Sequence, residues 1–179
     1  MNKQTQKVLI IGAIVLVLII TSPMTSSGAE ALIKLFETDN NINDYLTAYQ
    51  DSGGVWTIGY GSIYNYDQGR SVQAGDQITA DTALAWMRKE MSSMIPQIKK
   101  LVTVPINQNQ LDALTSFCYN LGVGSLQDST LLQLLNSGAD KQTVADQFLR
   151  WNKVNINGVY VPLAGLTRRR QAEADLFVK

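Results

Sequence analysis

Thirteen consecutive apolar residues, Val8 to Ile20, divide this chain into two unequal parts. The run carries no charge, follows Lys3 and Lys7, and is not succeeded by an acidic residue until Glu30. A segment apolar on every side does not suit the surface helix of a small domain. A basic flank before such a segment holds the N-terminus in the cytoplasm while the rest of the chain crosses the membrane. Thirteen residues are short for a span of ~20 and typical of a signal-peptide core. The small hydroxyl-rich stretch Thr21–Ala29 would lengthen the run to spanning size, and Ser27-Gly28-Ala29 also reads as a cleavage site. The sequence is therefore read as residues 1–28, a signal-anchor or signal peptide, followed by residues 29–179, one exported domain. Residues 8–28 would contact the inner membrane. The domain would lie in the periplasm, tethered or released.

The exported part must supply its own core, and ~150 residues can bury ~70% of the unfolded surface. Its chemistry is narrowed by what is missing. The chain has no histidine and one cysteine, Cys118. Without an imidazole there is no Ser-His-Asp or Cys-His nucleophile pair. Histidine-ligated zinc is excluded as well, and one thiol builds neither a metal site nor an intrachain disulfide. If the chain is an enzyme, its acid–base work falls to carboxylates. Cys118 sits in the apolar stretch Leu114–Tyr119 and is expected to be buried. Residues 1–28 hold two lysines and no acid, so the remainder has 13 basic and 15 acidic residues. That balance gives no general attraction to nucleic acid. The domain is read as a monomer.

Apolar periodicity places a short helix over Ala29–Phe36, ending near Glu37, and a polar loop over Thr38–Asp44. Two β-like segments, Tyr45–Gln50 and Val55–Tyr60, flank the turn chemistry of Asp51-Ser52-Gly53-Gly54. Gly59, Gly61 and Gly69 imply irregular backbone beyond them. Thr79 then caps a helix that Pro96 should bend or end. Asn107 with Gln110 forms a capping box for a helix closed near Gly122. Shorter helices are expected over Ser129–Asn136 and Asp140–Trp151, a tight turn at Asn157-Gly158, and a last helix from Thr167. The fold class is α+β, a small β-hairpin lobe on a larger helical lobe.

Glu37, at a helix end beside the glycine-rich lobe, is a candidate for partial desolvation, the setting in which a carboxylic acid keeps its proton. Asp51 lies in the hairpin turn, a wetter place. Two carboxyls in different surroundings facing one space can hydrolyse a glycosidic bond. Thr57, on the return strand, offers a hydroxyl to hold water. Each residue also has a plainer role, as a solvated helix end, a turn stabiliser and a strand former.

The segments Leu32–Glu37 and Ala48–Gly61 resemble the catalytic region of the phage-type lysozymes. Ser116–Gly122, Ser129–Leu132 and Gly165–Glu173 resemble that family's internal and C-terminal helices, so the likeness spans nearly all of residues 30–179. It implies a lysozyme-like fold and a muramidase, without cofactor, acting on the peptidoglycan glycan strand between N-acetylmuramic acid and N-acetylglucosamine to release phage from the bacterial host. It implies that Glu37 is the general acid, that Asp51 and Thr57 place the attacking water, and that the outcome is inversion. The family usually has about eight residues between acid and aspartate; here residues 38–50 intervene. Ser62 stands where many relatives have histidine. These departures sustain an alternative, an anchored peptidoglycan-binding or localisation module without turnover. The N-terminus is similar to that of endolysins whose uncleaved signal-anchor releases an inactive enzyme when the membrane depolarises. The run Arg168-Arg169-Arg170 is read as a solvated face, with one of Arg168 and Arg169 in reach of Glu37.

Overall fold

The computed structural model describes residues 26–179 apart from Ser52 and Asn157. The apolar run Val8–Ile20 lies outside the described residues, among which no helix is long and apolar enough to cross a membrane. Helix α1 (Ser27–Thr38) starts before the expected Ala29 and carries Glu37 in its last turn. Its early start comes from a distant residue. Asp112 accepts the Ser26 hydroxyl at 2.5 Å and the Gly28 N–H at 2.8 Å, satisfying a donor that the first helical turn otherwise leaves open. The helix stops where Asp39 and Asn40 adopt positive φ.

The expected polar loop contains a 3-10 turn, Ile42–Tyr45. The first hairpin is shorter than its sequence pattern: β1 (Tyr49–Gln50) pairs with β2 (Trp56–Thr57), setting Tyr49 opposite Thr57. Beyond them, where irregular backbone was expected, β3 (Tyr64–Asn65) and β4 (Arg70–Ser71) form a second small hairpin. Ile58 and Val72 bury against Trp86 to give this lobe a core of its own.

Helix α2 (Ala80–Leu101) is capped by Thr79, which accepts the Thr82 N–H. It does not end at Pro96. The carbonyl that loses its partner belongs to Ser92, and both residues are exposed, so water can take it. Helix α3 (Gln108–Leu121) opens with the capping box of Asn107 and Gln110 and closes at Gly122, whose φ is 82°. It is the centre of the helical lobe, packed against α1, α2 and the C-terminal helix.

Between them lie α4 (Val123–Gln127), absent from the sequence reading, α5 (Thr130–Asn136) and α6 (Lys141–Ala145). The helix expected to reach Trp151 is broken, and Phe148–Trp151 is a 3-10 turn. Its three-residue period turns both Phe148 and Trp151 onto Phe117, with ring centroids 5.6 and 5.4 Å away. The turn at Gly158 joins β5 (Lys153–Ile156) to β6 (Val159–Pro162), a hairpin with exposed Val159 and Tyr160. Helix α7 (Ala164–Val178) follows, starting before the expected Thr167.

Candidate active site

Glu37 leaves the last turn of α1 half-buried, with its side chain 22% exposed. Arg169 of α7 donates from Nη1 to Glu37 Oε1 at 2.6 Å, and its own side chain is only 4% exposed. The other carboxylate oxygen faces Gly61: a Cβ added there would stand 3.3 Å from Glu37 Oε2, and the φ of 92° independently favours glycine. The glycine thus lets the β lobe come close to the acid.

The first hairpin carries the other candidates. Thr57 is the cross-strand partner of Tyr49, and Asp51 follows β1 directly, at the start of the turn. Tyr49 is the common neighbour of the group. Burial raises its phenol pKa, and the charges of Glu37 and Asp51 raise it further. Asp51 is exposed and shapes its own turn, its Oδ1 accepting the N–H groups of Gly53 at 2.9 Å and Val55 at 2.8 Å. Thr57 is buried and donates its hydroxyl proton to the Val55 carbonyl at 3.1 Å. The residues between Glu37 and Asp51 are absorbed in ordered backbone before β1. Tyr45 accepts the Gly59 N–H at 2.8 Å, and Leu46 accepts that of Ile78 at 2.9 Å.

Ser62 makes a contact of its own. Its hydroxyl donates to Glu90 of α2, which also accepts from Tyr66. Tyr119 of α3 donates to the Tyr60 carbonyl at 2.7 Å, fixing the turn that carries Gly61. Burial, then the charges of Glu90 and Glu37, push the Tyr119 pKa well above the usual phenol range, so it remains a donor.

The arginine run is not the solvated face expected of it. Arg169 and Arg170 are buried, and Arg168 alone of the three is exposed. The two buried guanidiniums share Glu173, which is fully buried. Tyr49, Tyr119, Glu90, Arg170 and Glu173 escaped the sequence reading. Arg169, Arg170, Glu173, Ala174 and Phe177 nevertheless fall on one helical stripe, a pattern that marks a buried face. Among the described residues no group of acidic or cysteine side chains is arranged to hold a metal.

The lysozyme-like α+β fold is what known proteins share with this chain. The phage lysozyme family model matches residues 44–173. An endolysin of Acyrthosiphon pisum secondary endosymbiont phage 1 is 39% identical over 132 residues, 74% of this chain and 86% of the relative. The SAR-endolysin of Enterobacteria phage P21 is 30% identical over 154 residues, 83% of this chain and 87% of the relative. The solved endolysin of Escherichia coli O157:H7 phage FAHEc1 superposes with a TM-score of 0.75 at 37% identity, over 84% of this chain and 90% of that one. The chain belongs to the phage lysozyme family.

Proposed function

We propose that the protein is a muramidase that cuts the β-1,4 bond between N-acetylmuramic acid and N-acetylglucosamine in peptidoglycan, lysing a bacterial host for phage release. The observation carrying this reading is the half-buried Glu37, held by Arg169, beside the hairpin that carries Asp51 and Thr57, with Tyr49 near both carboxylates. Glu37 gives its proton to the glycosidic oxygen as the bond to the anomeric carbon breaks. A water oxygen joins that carbon from the opposite face and passes its proton to Asp51. The two backbone N–H groups on Asp51 Oδ1 hold the carboxylate in place, and Oδ2 takes the proton. Thr57, its proton committed to Val55, offers lone pairs to the same water. Attack opposite the leaving group inverts the anomeric centre.

Export fits the same reading. The relative named a SAR-endolysin covers most of the chain, and the apolar run Val8–Ile20 has the composition of a membrane anchor. Ser26 and Gly28 are bound into the folded domain by Asp112, so cleavage at Ser27-Gly28-Ala29 would cut the first turn of α1. Retention of residues 1–28 through export, followed by release from the inner membrane, preserves it.

The reaction is tested by digesting purified peptidoglycan with the full-length chain and reducing the products with borohydride. Muramitol ends identify a muramidase. Glucosaminitol ends contradict the bond assignment, and bound but uncut glycan favours the binding module.

A further inference from the structure

We propose that Glu173 is a positioning residue for the acid, acting through Arg169. A buried chain of alternating charge, Arg170–Glu173–Arg169–Glu37, fixes where the Arg169 guanidinium stands and how much of its charge Glu37 receives. The proposal rests on the muramidase reading of Glu37.

Glu173 Oε1 takes three donors: the Ser116 hydroxyl at 2.8 Å, Arg169 Nε at 3.3 Å and Arg170 Nη2 at 3.1 Å. Arg170 Nη2 also reaches Asn120 Oδ1 at 2.9 Å, with the guanidinium 5.1 Å from the Phe117 ring centre. Arg169 divides its planar fork among Glu37 through Nη1, Glu173 through Nε and the Ser116 carbonyl, 3.3 Å away, through Nη2. Because the guanidinium is rigid, fixing Nε on Glu173 aims Nη1 at Glu37.

A buried ion cluster of this kind is weak evidence of added fold stability. Arg170 Nε lies 3.0 Å from Glu173 Oε2, yet neither atom completes a hydrogen bond among the described residues, and nor does Arg170 Nη1. Buried charges so incompletely satisfied cost folding energy, and apolar replacements of such groups are often neutral or stabilising. The order on the helix is also the weaker one, with arginine ahead of glutamate by four residues. What the cluster does provide is control of Arg169.

The ionisable groups facing Glu173 are Arg169 and Arg170 on its own helix, Cys118 on α3 and, across Arg169, Glu37 on α1. Without the charge on Glu173, the Arg169 guanidinium answers to Glu37 alone, and the proton needed by the leaving group is lost at lower pH. Without Arg170, Glu173 draws harder on Arg169, and the effect reverses.

The test measures release of dye-labelled fragments from peptidoglycan by the full-length chain across pH, for wild type, Glu173→Gln and Arg170→Met. For Glu173→Gln the maximal rate should fall about tenfold with KM within about twofold, and the alkaline limb should move to lower pH by about half to one unit. For Arg170→Met the limb should move to higher pH. Should Glu173→Gln fail to fold, Glu173→Asp decides: it keeps the charge but draws it back from Arg169 Nε, so the maximal rate per folded molecule should fall with KM within about twofold. Limbs that stay at the wild-type pH, with rates falling only as far as the folded fraction falls, overturn the proposal. An inactive wild type, or Glu37→Gln releasing dye as fast as wild type, instead overturns the muramidase reading beneath it.

Discussion

Arg169 Nη1 meets Glu37 Oε1 at 2.6 Å, joining the last helix to the first across 132 residues of sequence. The pair fixes the direction of a carboxyl that, on the proposed reading, addresses one sugar oxygen, and misplacement by ~1 Å can cost ~100-fold in rate. Arg169→Met should therefore lower kcat by about 10- to 100-fold with little change in KM. Arg169→Lys should recover only part of the loss, because an ammonium cannot serve Glu37, Glu173 and the Ser116 carbonyl in one fixed fork. Steady-state hydrolysis of labelled cell walls gives both values. Wild-type kcat in the Met variant would show the pair to be incidental.

Asp112 ties the start of the folded domain to the central helix. Besides Ser26 and Gly28 it accepts from Gln108 at 2.5 Å. Asp112→Ala should cost about 2–3 kcal/mol, since hydrogen bonds to a charged group are lost from a buried site. Thermal unfolding should report this as a fall in Tm of roughly 5–10 °C. An unchanged Tm would mean that the first turn of α1 is held by other contacts.

Acid should release the second hairpin. The Arg70 guanidinium, 2.6 Å from Asp76, is the largest influence holding that carboxyl well below the usual carboxylate range, helped by the Gln73 N–H and the Asn65 amide. A depressed folded pKa stabilises the protein above the unfolded carboxylate pKa of ~4, and that stability disappears as pH falls toward the folded value. Arg70→Met should lower Tm at pH 6, and the difference from wild type should shrink as pH falls below about 4. Melting curves at pH 6, 4 and 2.5 check this. A difference that does not change with pH contradicts the pairing.

Cys118 should be inert in the folded protein. Burial, with the nearby charge of Glu173 adding to it, pushes the thiol up to about 12. Because the thiolate is the reactive form, a thiol reagent at pH 8 should label the unfolded chain fully and leave the native protein unlabelled on the same timescale. Rapid native labelling would show that α3 opens readily.

Local chemistry made part of this fold legible. The capping box of Asn107 and Gln110, the Thr79 cap and the turn at Asp51–Gly54 each satisfy backbone groups within a few residues, so spacing alone placed them. The start of α1 was hidden because its partner, Asp112, is 84 residues from Gly28. The burial of Arg169 and Arg170 was hidden by their charge. Only the stripe they share with Ala174 and Phe177 marks that face, and its polar half reads as surface until Glu173 supplies the compensating charge. The candidates Glu37, Asp51 and Thr57 were reached through a family pattern. Their common neighbour Tyr49 was within reach of the hairpin register, being two residues before Asp51 and opposite Thr57.

The role given to Glu37 is measured most directly by the clearing of purified cell walls by the full-length chain, wild type against Glu37→Gln, with Tm recorded for both. A proton donor at position 37 requires a loss of about 100-fold or more in the Gln protein, with Tm little changed. Clearing by Glu37→Gln at the wild-type rate would contradict it.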